Sequence, residues 1–297
     1  MTGPDTGAAN LALSAATRAG VTVTEVHEID ELVELNRVVD TVWHREGDAV
    51  AMEMLRALAH SGNCILAARS GTEMVGATVS FRGVHEGRPT LHSHITGIVP
   101  GSQLRGVGLA LKLQQRAWAL ANGIGSVTWT FDPLVARNAH FNLTKLGAEA
   151  GEYLIDFYGT LRDDANGDDA TDRLLAVWRL ESPRVARALS GLAPAPPVEM
   201  LLQQGAPVVL DIDAGGRPLL AGLAAWTETA PERPSRALAR IPEDILAVRS
   251  RDRRLAGQWR GALREVMTTL LARGLRPVGA IAPGWYVFGP AGSDWPA

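Results

Sequence analysis

The sequence predicts an α/β fold with a mixed sheet, carried in two parts. Strand-like apolar runs alternate with amphipathic helical stretches through residues 21–182. A proline-rich segment at 183–198 then separates them from a smaller α/β region at 199–297. A third observation concerns one junction, where the strand-like run 90–99 leads through Gln103-Leu104-Arg105-Gly106-Val107-Gly108 into an amphipathic helix. Backbone N–H groups that converge at a helix N-terminus in this way suit a phosphate group.

In chain order, the small and polar residues 1–20 read as a disordered lead-in. Residues 21–26 form a first strand, and Asp30 N-caps a helix carrying Leu32, Leu35, Val38 and Val39. A second helix covers 48–60, and 63–69 and 73–84 are strands joined by a turn at Ser70-Gly71. The helix at 106–122 places Leu109, Leu113, Ala117, Leu120 and Ala121 on one face and Lys112, Gln115, Arg116 and Asn122 opposite, with Gly123 as its stop. A strand at 126–131 ends at Asp132-Pro133, a short helix covers 137–146, and strands follow at 150–158 and 173–180. The acidic stretch 163–172 between those last two reads as a solvated loop. In the second part, 206–213 and 217–226 read as a hairpin, 251–273 as a helix closed by Gly274, and 278–288 as a final strand. Hairpin, helix, glycine and strand repeat the order of residues 63–131, so this part reads as a degenerate echo of the first, without its glycine loop.

Composition sets limits on function. The chain has 297 residues, 46% hydrophobic and 21% charged, in the range of ordinary globular proteins. A net charge of −3 and a pI near 6.2 speak against a nucleic-acid binder. No apolar run approaches the ~20 residues of a membrane span, and residues 1–20 lack the basic start and apolar core of a secretory signal, so a cytoplasmic location is expected. Cys64, the single cysteine, excludes an internal disulfide and sits in an apolar run, as a buried strand residue does.

Gly106 and Gly108 remove Cβ atoms that would hold a pyrophosphate away from the backbone, and Arg105 adds positive charge at the mouth of the loop. With Ile98-Val99-Pro100 before it, Asn138 beyond the next strand and Lys145-Leu146-Gly147 after that, this stretch resembles the GNAT superfamily of acyl-CoA N-acyltransferases over roughly residues 20–182. The resemblance implies the GNAT fold and acetyl-CoA or another acyl-CoA as cofactor. It also implies that backbone N–H groups of Leu104, Arg105, Gly106, Val107, Gly108 and Leu109, after the motif's Gln103, hold the CoA pyrophosphate. Ile98 and Val99 would pair their backbone with pantetheine where the fourth strand splays from the fifth, with the Ile98 N–H toward the thioester oxygen. Such a donor lowers a barrier by ~3 kcal/mol. Asn138 would hydrogen-bond the pantetheine arm, or serve as a plain helix N-cap.

The implied reaction is direct attack of an amine on the thioester. An alkylamine has a pKa of ~10.4, so a proton acceptor is useful at neutral pH. Alternation along a strand puts His92, His94 and Thr96 on one face, which makes the two histidines the candidate bases. Hydrogen-bonded polar residues on a half-exposed sheet face are the competing account. A metal site is not expected, because no cysteine or carboxylate pattern completes the His-x-His pair. Many GNAT enzymes carry a tyrosine two residues before the Lys-Leu-Gly lysine as proton donor to the departing thiolate; here that residue is Leu143, leaving Tyr153 or Tyr158 as substitutes. Asp132 is a candidate anchor for a substrate ammonium and Arg137 for a carboxylate. His44, Arg45 and Glu46 fall where such proteins build the acceptor pocket.

The expected partner is a small-molecule amine or an amino acid, with no nucleic acid and no membrane. A homodimer is among the arrangements open to the C-terminal part. Two alternatives stand beside N-acetyl transfer: an amino-acid N-succinyltransferase, and a non-catalytic CoA-binding sensor or assembly protein.

Overall fold

A computed structural model of the protein describes residues 4–43, 50–101, 105–159, 170–191, 195–229 and 236–293. The chain divides into two compact units, the first covering Met1–Trp129 and the second beginning at Thr130. The division falls inside the strand Ser126–Phe131, and the proline-rich segment at 183–198 belongs to the second unit. Part of that segment is helical instead: the Ser182 hydroxyl accepts from the Val185 N–H (3.3 Å), Pro183 occupies the first turn, and Gly191 ends helix α6 (Pro183–Ser190) once five helices precede it in the chain.

The first unit opens with α1 (Pro4–Ala19), which corrects the expected disordered lead-in. Ala8, Ala12, Ala15, Ala16 and Ala19 are buried, and alanine is the strongest helix former. Their small side chains let α1 lie along α4 (Val107–Ala121). Between these helices come β1 (Thr22–Glu25), α2 (Ile29–Trp43), α3 (Met52–His60), β2 (Ile65–Ser70), β3 (Glu73–His85) and β4 (Arg88–Ile98); β5 (Ser126–Phe131) follows α4. The strands lie in the order β1-β2-β3-β4-β5. All neighbours are antiparallel except β4 and β5, which the crossover through α4 makes parallel. Leu32, Leu35 and Val39 of α2 and Leu55 of α3 pack on Ile65, Ala67, Ala77 and Val79, the apolar face expected from the helix spacing. Cys64 is buried, as its apolar context implies.

In the second unit a short helix, α5 (Ala136–Ala139), runs into a π-helical turn (His140–Lys145), where a single helix over 137–146 was expected. The Leu146 N–H donates to the Phe141 carbonyl (2.9 Å), a bond spanning five residues. The next strands, β6 (Glu149–Leu154) and β7 (Arg173–Arg179), are antiparallel. After α6 and α7 (Val198–Gln203) a second sheet is built from β8 (Val208–Ile212), β9 (Pro218–Leu219), β10 (Ala237–Arg240), β11 (Leu275–Ile281) and β12 (Trp285–Pro290). Its order is β11-β12-β10-β8-β9, with β8 and β10 parallel.

Two expectations are corrected in this unit. The strand over 217–226 shrinks to β9, because the alanine-rich residues beyond it form α8 (Ala221–Thr229). The helix over 251–273 is α10 (Arg253–Ala272), which begins where the Asp252 carboxylate accepts from the Leu255 N–H (2.9 Å), and a further helix, α9 (Ile245–Arg251), precedes it. The final strand over 278–288 is a hairpin, β11 and β12, turning at Pro283-Gly284. The second unit thus closes on a hairpin where the expected echo called for a single strand, although each unit holds one parallel crossover, β4-α4-β5 and β8-α8-β10. Among the described residues no helix is long and apolar enough to cross a membrane.

Candidate active site

The parallel strands β4 and β5 pair at only two positions, Leu91 with Val127 and His92 with Thr128. Beyond His92, β4 continues along β3 as far as Ile98 opposite Gly76. The result is a fork with His92 and Thr128 at its crotch, where His92 Nδ1 and Thr128 Oγ1 stand 3.3 Å apart. The Val99 N–H donates to the Val75 carbonyl (2.9 Å), which fixes the alternation of the ladder. The N–H and C=O groups of Ile98 and Thr96 therefore project away from β3, toward the open side of the fork. The Ile98 N–H is thus not held by β3. The Val99 N–H is held there, so Val99 does not stand as expected.

A β-bulge changes which side chains share a face. Val79 of β3 lies opposite Ile95 and Ser80 opposite Ser93, so His94 is the extra residue of β4. The expectation that Thr96 shares a face with both histidines is corrected by this bulge. The Thr96 hydroxyl lies 2.8 Å from that of Thr78 and 3.3 Å from that of Ser93. The histidine rings instead cluster with Phe81, which is 5.0 Å from His92 and 6.1 Å from His94, the two imidazole centroids being 6.3 Å apart. His92 is half-buried and His94 exposed. Burial, reinforced by the neighbouring His94 and Lys112, pushes the His92 pKa down to about 4. His92 is therefore neutral at physiological pH and a weak base.

Gln103 and Leu104 lie outside the described residues. From Arg105 on, the loop enters α4 at Gly106, whose φ of 93° is open to glycine without strain. Among the described residues no side chain caps α4, and its first turn holds no acidic residue, so the N–H groups of Val107, Gly108 and Leu109 form the positive end of the helix. Gly108 serves packing: a Cβ there would meet Ile98 Cδ1 at 3.1 Å, on the strand that borders the fork. These groups fit a phosphate, and the strand edge beside them fits an extended amide-bearing arm.

Other predicted residues stand in the second unit. Asn138 and Arg137 are exposed on α5, and the N-cap of that helix is Val135, not Asn138. Asp132 is corrected as an ammonium anchor. Its carboxylate takes a bidentate pair from Arg260 (2.8 and 2.9 Å) and a further bond from Arg249 (2.6 Å), while Oδ1 also accepts from the Leu134 N–H (2.9 Å). Burial opposes its ionisation, but Arg260 and Arg249 outweigh that and hold the carboxyl well below the usual range.

Tyr153 is corrected as a proton donor to a thiolate. Its hydroxyl donates to Asp172 Oδ2 (2.7 Å), and burial together with that bond pushes its pKa far above that of a free phenol. Asp172 itself, expected in a solvated loop, is fully buried and paired with Arg264 (2.8 Å). Tyr158 is more open, its hydroxyl 3.1 Å from that of Thr130. Leu143 is buried in the π-helical turn. His44, Arg45 and Glu46 lie outside the described residues.

Two residues escaped the sequence reading. Lys112 and Gln115, expected on the solvent face of α4, are buried against the sheet. A signal was available: the chain carries 29 basic residues, and only Lys112 and Lys145 are lysines.

No family model matches the chain, and no curated protein matches it. Among solved structures it is similar to a protein from Desulfovibrio desulfuricans named as an acetyltransferase of the GNAT family, with 16% identity over 54% of this chain and 99% of that one and a TM-score of 0.42. It is also similar to the ribosomal-protein-S18-alanine N-acetyltransferase of Escherichia coli, with 12% identity over 55% of this chain and 95% of that one and a TM-score of 0.44. A third is Naa50 of Arabidopsis thaliana in complex with the bisubstrate analogue CoA-Ac-MVNAL, with 14% identity over 53% of this chain and 97% of that one and a TM-score of 0.40.

Proposed function

We propose that the protein is an acyl-CoA-dependent N-acyltransferase, in the first instance an N-acetyltransferase, acting on the amine of a small molecule or an amino acid. The observation that carries this reading is the fork. β4 leaves β5 after His92, turns the backbone groups of Thr96 and Ile98 to the open side, and is followed directly by the uncapped N-terminus of α4. Acyl-CoA supplies an activated thioester when bound. In this reading the N–H groups of Val107, Gly108 and Leu109, with Arg105, hold its pyrophosphate. Thr96 and Ile98 hold the pantetheine arm by strand-like bonds, and the Ile98 N–H stabilises charge on the carbonyl oxygen.

Acceptance of the amine proton falls to His94. A full transfer from an alkylammonium to His92 would be uphill by roughly 9 kcal/mol, given the low pKa of that imidazole. His94, exposed on the bulge, passes the proton to solvent, while neutral His92 accepts a hydrogen bond and orients the amine. The thiolate leaves without Tyr153, which free thiol pKa values of ~8.5 permit.

Thiol release from acetyl-CoA and from succinyl-CoA, measured against a panel of amines and amino acids, tests the reading. Turnover with acetyl-CoA supports it, and turnover with succinyl-CoA alone moves the assignment to an N-succinyltransferase. Tight CoA binding by calorimetry without turnover for any pair overturns the enzyme and leaves a CoA-binding protein.

A further inference from the structure

Lys112 is 4% exposed, and its ammonium group has a partner for each of its three protons. Nζ donates to Ser93 Oγ (2.9 Å) and to Gln115 Oε1 (3.1 Å), and stands 4.0 Å from the centroid of the Trp129 ring. These contacts fall at one place in the fold. The last residues that pair β4 with β5 are His92 and Thr128, so Ser93 and Trp129 are the first residue of each strand past the crotch. Lys112 touches both, from the α4 face. Gln115 Nε2 extends the network to Ser80 of β3 (2.6 Å) and back to Ser93 (3.0 Å). The Ser93 hydroxyl lies 3.3 Å from that of Thr96, so the contact crosses the bulge and reaches a residue whose backbone faces the fork.

We propose that Lys112 is the positioning residue of the β4/β5 fork, its ammonium tying Ser93 to the face of Trp129 and so fixing the bulged edge of β4 that receives the acyl-CoA arm. The proposal rests on the acyl-CoA reading of that edge. A protonated lysine is what this place calls for. An apolar side chain would leave Gln115 Oε1 without its donor and Ser93 Oγ with Gln115 Nε2 alone, and a neutral amine would keep both bonds but lose its charge attraction to the indole ring.

Among the described residues no carboxylate forms an ion pair with Lys112. Burial pulls its pKa down to about 7. The titratable and charged groups around it are few. Cys64 precedes β2, its thiol pushed up by burial and so protonated. His92, whose pKa Lys112 helps to lower, and His94 cluster with Phe81 on the opposite face of β4. Lys112 therefore changes charge across neutral pH.

Two readouts test this, one of which needs no ligand. The Trp129 indole N–H resonance, assigned with Trp129→Phe, is followed between about pH 6 and 8.5 in the wild type and in Lys112→Met. CoA affinity is measured by calorimetry over the same range. The expected result is a Trp129 titration near pH 7 that Lys112→Met abolishes. Wild-type CoA affinity should fall several-fold as pH rises, while affinity in the variant is weaker by about tenfold and flat. Ser93→Ala should keep the Trp129 titration and lose CoA affinity. If Lys112→Met does not fold, the wild-type titration and affinity curves still decide, since a Trp129 resonance flat through this range overturns the proposal. CoA binding of wild-type strength and pH profile in Lys112→Met overturns the proposal alone. Absence of CoA binding in the wild type at every pH overturns the acyl-CoA reading and the proposal with it.

Discussion

Replacing Lys112 with methionine should remove a pH dependence from the stability of the protein. An unfolded lysine holds its proton up to a pKa of 10.5, whereas the buried Lys112 releases it near 7. Between those values the unfolded chain binds more protons than the folded one, so wild-type stability rises with pH, by up to ~1.4 kcal/mol per pH unit. Over the whole window this amounts to ~5 kcal/mol, with the cost of the buried charge fully present below about pH 7 and gone above about pH 10.5. Methionine keeps most of the stem volume and carries no charge, but leaves Gln115 Oε1 without a donor and removes one of the two donors to Ser93 Oγ, a loss of ~1–3 kcal/mol that does not depend on pH. Urea denaturation of both proteins at about pH 7.5 and about pH 9 isolates the pH-dependent part. The stability of the wild type relative to Lys112→Met should rise by about 2 kcal/mol between the two. Curves that stay parallel would refute the inference that Lys112 is a buried, titrating amine.

Three further outcomes follow from the same geometry. His94→Ala should lower kcat/KM at neutral pH by ~10²-fold or more, whereas His92→Ala should lower it less, because burial holds the His92 pKa near 4 and makes it a weak base. Tyr153→Phe should retain turnover while lowering stability by ~1–2 kcal/mol, read by denaturation, since its hydroxyl serves the buried Asp172. Asp132→Asn should cost ~3–5 kcal/mol of stability by leaving the buried Arg260 without its counter-charge, and any loss of activity should track unfolding rather than KM.

The sheet of the first unit was legible because its strands alternate and its turns carry glycine. Leu32, Leu35 and Val39 stand where the helix spacing put them. The start of α4 was legible for the same reason, an abrupt change from strand to helix across glycines. The bulge was not. It adds one residue at His94 without any local composition signal, and everything beyond it changes face, Thr96 included. Lys112 was misplaced because a helical wheel assigns polar residues to solvent, and only the hydroxyls of Ser80 and Ser93 and the Trp129 ring show that this helix buries a polar stripe. α1 was misread because small residues that look solvent-loving in isolation are also the ones that let two helices approach. Asp132 and Asp172 kept their arginine partners hidden by distance along the chain, Arg260 lying 128 residues from the first and Arg264 lying 92 from the second.

The fork as an acyl-CoA site is tested most directly by thiol release from acetyl-CoA with an amine panel, comparing the wild type with His94→Ala. At least one amine should give turnover above the rate without enzyme, and His94→Ala should reduce it while CoA still binds. No turnover with any amine, or equal rates in the two proteins, would contradict the account.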